Sequence, residues 1–318
     1  MKLPAFIFLL AISLLLLSNS IVAQNSLDTI ASIQINDTAG KEDTPEPAKK
    51  TYFKIGGSHL SNAVYNGRKD SSAVPYLSTT IGYYHKSGFY INAGTSLLVG
   101  SGNTKAIDMV SFDAGYSFKI SDKFDAELTA SKLYYTAQSF AVASELKAIT
   151  GATITYNPGP FTISTGTDLM YSTATDIATN ITINHGFEKG TPDKKWTLTP
   201  SFVINAGTQY FNAAYYKTRK FTTISTAKVK KGHSAKKPTT VVKTLVFNNQ
   251  NKYAVLDYEF SMPLTYETNR WGFFINPTYA MPVNGANYEL NGKLTKEVLT
   301  NTFFLEVGAF IKLFPHRK

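Results

Sequence analysis

From Thr51 onward, apolar and polar residues alternate at every second position almost without a break. A period of two belongs to strands, whose successive side chains leave the backbone on opposite sides. The stretch TNTFFLEVGAFIKLF at 300–314 sets Phe303, Leu305, Val307, Ala309, Ile311 and Leu313 on one side. Thr302, Phe304, Glu306, Gly308, Phe310 and Lys312 take the other. The same two-faced pattern gives candidate strands at 51–60, 75–86, 89–100, 106–120, 124–136, 146–157, 161–173, 177–187, 195–211, 252–267, 271–282 and 300–314, twelve in all. Pro200, Pro263 and Pro277 fall inside strands, where a missing donor costs a ladder bond that a bulge would have to absorb.

The connections carry a second pattern. HKSG at 85–88, ISDK at 120–123, NPGP at 157–160 and TNR at 268–270 are tight turns, and EKGTPDKK at 188–195 is somewhat longer. Between them lie longer links at 61–74, 101–105, 137–145, 212–251 and 283–299, with the short link at 174–176 the exception. This alternation places the tight turns, and both chain ends, at one end of the sheet. That end gathers Tyr84, Phe89, Phe118, Phe124, Tyr156, Phe161, Phe187, Trp196, Tyr266, Trp271 and Phe314 at strand termini. Tyr76, Tyr134, Tyr171, Tyr210, Tyr253 and Tyr279 mark the opposite end. Rings of aromatics at one level suit a membrane interface, where one side of the ring is wet and the other apolar.

Alternation alone also fits a soluble β-sandwich. Sandwich strands average ~5–6 residues, whereas most of these run to ten or more. Ten residues at ~3.3 Å each, tilted ~40°, span about 25 Å, the height of an outer-membrane apolar band. The expected fold is therefore all-β, a transmembrane antiparallel up-and-down barrel of about 12 strands. In that fold the apolar stripe of 303–313 faces lipid, and Glu306 and Lys312 face the interior.

The chain start agrees. MKLPAFIFLLAISLLLLSNSIVAQ has a basic residue, an apolar run and a small-residue cleavage site, so 1–23 reads as a secretory signal peptide. Residues 24–50 end in GKEDTPEPAKK and read as a flexible periplasmic linker, leaving 51–318 for the barrel. No later stretch reaches the ~18–20 apolar residues of a spanning helix. There is no cysteine for a disulfide framework. The formal charge of +10 is concentrated in one long loop, at Lys217, Arg219, Lys220, Lys228, Lys230, Lys231, Lys236, Lys237 and Lys243. A single exported basic loop is no argument for nucleic acid.

On these features the chain resembles the outer-membrane β-barrel proteins of Gram-negative bacteria. The resemblance covers 51–314 and lies in overall pattern. It implies an outer-membrane location, contact with membrane lipid, and assembly by the barrel-assembly machinery, whose C-terminal signal the last strand resembles. PHRK follows Phe314, so the aromatic is not terminal.

Two arrangements of the interior remain open at this point. Asp113, Asp125, Glu127, Asp168, Asp257, Glu259 and Glu306, with Lys119, Lys147 and Lys312, fall on the inward register. They line a narrow or gated cation-favouring channel, or they pair and fill a closed interior. With a closed interior, the barrel is a structural or adhesive one, and its basic loop at 212–251 binds an anionic surface polymer. The loop is alternatively a constriction folded into the lumen, or a plain solvated loop. His59, His85, His185, His233 and His316 are scattered, with no Ser/His/carboxylate set, no metal spacing and no nucleotide loop. Neither an enzyme nor a cofactor is expected.

Overall fold

A computed structural model describes residues 50–99, 107–137, 139–217, 245–290 and 293–315. The expected signal peptide, nearly all of the expected linker, and the basic residues Arg219, Lys220, Lys228, Lys230, Lys231, Lys236, Lys237 and Lys243 lie outside the described residues. Eight strands run as a meander: β1 (Tyr52–Leu60), β2 (Tyr76–Tyr84), β3 (Phe89–Leu98), β4 (Ile107–Ser121), β5 (Phe124–Tyr135), β6 (Ala148–Tyr156), β7 (Thr162–Tyr171) and β8 (Thr175–Asn184). They continue through β9 (Phe187–Thr191), β10 (Lys194–Leu198), β11 (Ser201–Gly207), a short helix α1 (Tyr210–Tyr215) and β12 (Leu245–Phe247). The chain ends with β13 (Ala254–Ser261), β14 (Leu264–Thr268), β15 (Trp271–Pro282), β16 (Asn287–Leu290), β17 (Lys293–Lys296) and β18 (Thr302–Leu313).

β8 with β9, β10 with β11, and β13 with β14 each form one interrupted stave, so the wall has twelve. Every neighbouring pair is antiparallel, and β1 bonds β18 from Phe53↔Leu313 to Leu60↔Glu306, which closes the barrel. The interruptions answer the proline question. Pro200, Pro263 and Pro277 sit on three adjacent staves at one level, and their carbonyls accept from His185 N, Thr199 N and Met262 N at 3.2, 2.9 and 3.1 Å. Pro200 and Pro263 break their strands, whereas Pro277 stays within β15. A bulge elsewhere, between Asn205 and Ala206 of β11, leaves Leu256 as the extra residue opposite. Leu256 is consequently fully buried rather than on the outward stripe.

The outward face is apolar and bare: Phe112 is 53 % exposed and Phe303 62 %, with Ile81, Leu128, Ile154, Ile181 and Phe260 similarly uncovered. A continuous surface of this kind belongs in lipid rather than water. At the turn end Phe89, Phe118, Phe124, Phe161, Phe187, Trp196 and Trp271 stand outward as expected. Tyr84 instead points inward, stacked between Tyr52 at 5.0 Å and Tyr90 at 5.6 Å. At the other end Tyr76 is fully buried and Tyr210 belongs to α1, so Tyr134, Tyr171, Tyr253 and Tyr279 make a sparser belt.

Two connections differ from expectation. EKGTPDKK is mostly strand, with β9 and β10 forming a hairpin that turns at Pro192 and Asp193. The links 212–251 and 283–299 contribute β12, β16 and β17, a small sheet outside the wall. The HKSG turn fits closely: Gly88 has φ +97°, and a Cβ there would meet Ser117 O at 1.9 Å. That turn needs glycine on both counts.

Leu128 lies mid-strand on the lipid face, so Leu128→Arg is expected to lower folding stability by about 2–4 kcal/mol. Thr129→Arg, one residue along and inward, should cost less. Equilibrium refolding into vesicles measures both, and equal losses would contradict the assigned faces.

Candidate functional site: the lumen and its plug

The link between β1 and β2 does not leave the barrel. Residues 62–68 are all buried, and they cross the mouth at the long-loop end. Tyr65 meets the ring of Phe211 edge-on at 5.3 Å and donates its hydroxyl to Met170 Sδ at 2.6 Å. Met109, Leu133, Met170 and Ala178 project inward from four staves, and Val142, Leu146, Phe211 and Tyr215 complete the packing around them. Beside it, Leu60, Val64, Val74, Tyr76, Ala280 and Phe304 form a second apolar layer. The long-loop third of the interior is thus a protein core.

Arg68 anchors the plug. Only 2 % of it is exposed, and its guanidinium reaches five groups on other segments. It donates to Leu256 O at 3.1 Å, Gln209 Oε1 at 3.0 Å, Val283 O at 3.0 Å and Asn284 O at 3.3 Å. Its Nε lies 3.4 Å from Glu297 Oε2. Glu297 is itself held by Asn212 Nδ2 at 3.1 Å and Ala286 N at 2.9 Å. The planar fork of arginine suits such a socket, since several donors leave it in fixed directions. Three buried aspartates order the loops around it. Asp70 accepts from Tyr215 Oη and from Ser72 N at 2.9 Å. Asp108 accepts from Tyr76 Oη, Ser139 Oγ and Thr136 Oγ1. Asp176 accepts from the N–H groups of Tyr210 and Phe211, both at 2.7 Å.

Below the plug the interior turns polar. Glu127 accepts from Tyr90 Oη and Ser117 Oγ, both at 3.0 Å, and Asp113 accepts from Ser111 Oγ at 3.2 Å. Asp168 lies over Gly151 of the neighbouring strand, where a Cβ would meet its Oδ1 at 2.0 Å. Tyr90 likewise lies over Gly115. Glycine facing the lumen is what lets these large polar side chains lie flat against the wall. At the turn-side end Lys312 pairs with Glu267, and Lys54 sits 4.3 Å from the Phe310 ring centroid.

The sequence-derived lumen residues thus separate into levels. Asp113, Glu127, Asp168 and Glu306 share the middle, while Asp257 and Glu259 belong to β13 near the plug, with Asp257 fully buried. Asp125 accepts from Asn157 Nδ2 at 3.0 Å and pairs in register with the exposed Lys119 at the turn-side rim. Lys147 stands exposed just ahead of β6, outside the strands, because its loop turns there from the plug to the wall. Lys217 is exposed after α1. Arg68, Asp70, Asp108, Asp176, Gln209 and Glu297 were not candidates from sequence. Their one legible sign is that Asp108 and Asp176 are charges at strand starts.

Replacing Arg68 by Met leaves Glu297 and Gln209 buried without their partner, a change expected to cost about 3–5 kcal/mol. Arg68→Lys should recover only part of this, because one ammonium cannot serve the same spread of acceptors. Urea unfolding of the vesicle-inserted barrel reads both values.

No known family profile and no curated protein matches the sequence. Among solved structures, the KdgM porin is similar at 9 % identity and a TM-score of 0.42, over 81 % of this chain and 98 % of that one. An outer membrane channel from Pseudomonas putida F1 gives 8 % and 0.44, over 86 % and 100 %. LpxR from Salmonella typhimurium gives 6 % and 0.44, over 81 % and 99 %. Likeness at this level concerns architecture and carries nothing about cargo or chemistry. With the closed twelve-stave wall and its apolar outer face, the chain has the fold of the outer-membrane β-barrels.

Proposed function

We propose that this protein is an outer-membrane barrel acting as a gated channel for small polar solutes or ions, closed at rest by the segment 61–75. The observation that carries this reading is the contrast within one lumen. An acid-lined, glycine-backed passage lies beneath a plug whose anchor, Arg68, is held by hydrogen bonds to loops rather than by the wall alone. A socket of that kind releases only when water takes over its donors and acceptors, each donor exchanging protein for water. The acids below the plug favour cations through their charge. Lipid contacts the outer face, the leader directs export, and the barrel-assembly machinery inserts the chain.

A second reading has its own support. The apolar packing of Tyr65, Met170, Phe211 and Tyr215 resembles a permanent core more than a gate. On that reading the barrel is a closed scaffold, and its basic loop contacts an anionic surface polymer.

Planar-bilayer recording separates the two. The channel reading expects a mostly shut native barrel with brief cation-selective openings, and at least a tenfold higher open probability in Arg68→Ala. Neutralising Glu127 and Asp168 together should lower the selectivity, most visibly at low salt, where screening is weak. Silence from correctly inserted native and Arg68→Ala barrels would leave the scaffold reading standing.

A further inference from the structure

Among the described mid-lumen acids, Glu306 is the fully buried one, whereas Asp168 is only half-buried. Glu306 is 1 % exposed, and neither carboxylate oxygen makes a full hydrogen bond. The Ser58 hydroxyl is the single neighbouring group that favours its charge. Glu127 and Asp113, by contrast, each accept from hydroxyls. Directly across the ladder stands Asn276, whose Oδ1 is also buried without a donor. Paired residues in a sheet have their Cβ atoms about 5 Å apart, so the Asn276 amide and the Glu306 carboxylate are neighbours on the inward face. Turning the Asn276 amide over would give Glu306 one hydrogen bond and still no positive charge.

Glu306 borders a cavity of about 70 Å³ beneath the plug, lined also by Ser58, Thr80, Asn92, Phe274, Phe310 and Lys54. A water's share of liquid volume is about 30 Å³, so the space holds an ion with a water or two. Lys54 does not fill the role. Its ammonium lies over the Phe310 ring, and its charge is felt by Lys312 and Glu267 at the turn-side end.

We propose that this chamber binds one compact monovalent cation on the Glu306 carboxylate, with Asn276 Oδ1 as a second oxygen ligand. A carboxylate buried without a partner is costly, and a bound cation removes that cost where it arises. A single carboxylate matches a single charge. Calcium takes six to eight oxygens, often from several carboxylates, and no group of three His, Cys, Asp or Glu occurs among the described residues. The ion enters from the turn-side end, because the Leu60 and Phe304 layer seals the chamber above. The site refines the channel reading by naming its solute class, and it rests on that reading's polar lumen. Binding is nevertheless measurable without conduction.

The test is equilibrium dialysis of thallium(I) against the full chain refolded in detergent, with N-methylglucamine as the background cation. One thallium per barrel is expected, displaced by potassium or sodium and not by added N-methylglucamine. Glu306→Gln should weaken binding about tenfold or more, as removal of a buried charge partner does. Glu188→Gln, on the exposed β9–β10 hairpin, should leave it unchanged. Heat-modifiable electrophoresis checks that each variant is folded, and Asn276→Ala serves if Glu306→Gln does not refold. Absence of stoichiometric thallium, or equal binding by the variants, overturns the site. So does a neutral-acid infrared band in the native protein that disappears in Glu306→Gln, because the charge would then be relieved by a proton. A barrel that binds thallium yet stays silent in bilayers keeps the site and sinks the channel.

Discussion

In hydrocarbon, a peptide N–H has no water to bond, so a strand can cross a membrane only if both its edges are paired. That requirement makes the β1–β18 seam the contact on which the rest depends. With it, each stave is saturated and the outer face can be given wholly to Phe, Ile and Leu. Without it, two edges would face lipid with their donors and acceptors exposed. The closed wall in turn fixes which side chains share an interior, and every polar feature described above follows from that enclosure.

The interior solves two problems at different heights. Near the long loops it is filled by chain: the β1–β2 link supplies Tyr65 and Arg68, and buried aspartates in that link and at strand starts tie the plug together. Farther down it is lined rather than filled, and inward glycines such as Gly115 and Gly151 give neighbouring Tyr90 and Asp168 room to lie along the wall. The same wall therefore supports a dense plug and a polar chamber, with Glu306 at their boundary. Glu306 is covered on one side by the Leu60 and Phe304 layer and borders the chamber on the other.

Much of the wall was legible in the sequence because period two is a local property, dictated by the backbone and two media. The face assignments of 303–313 and of Phe112 against Asp113 needed no tertiary information. The departures are also physical. Leu256 changed sides because a bulge shifts parity by one, and a bulge leaves little mark in the residues that make it. Tyr84 and Tyr76 turned inward because a tyrosine end group serves a polar lumen as well as an interface. The plug was hidden for a different reason: NAVYNGR at 62–68 has the composition of an ordinary surface turn. What makes Arg68 an anchor is acceptors 141 to 229 residues away in the chain, on loops that only the closed wall brings together.

The three prolines at one level give the wall a crease. Above them β8, β11 and β13 surround the plug, and below them β9, β10 and β14 carry the Trp196 and Tyr266 rings. The ladder crosses this line on proline carbonyls alone, without a proline N–H to answer them. Bending stiffness in a sheet comes from unbroken ladders, so this sector is mechanically a joint between two plates. The joint lies above the aromatic anchors, so their depth in the membrane is set independently of it.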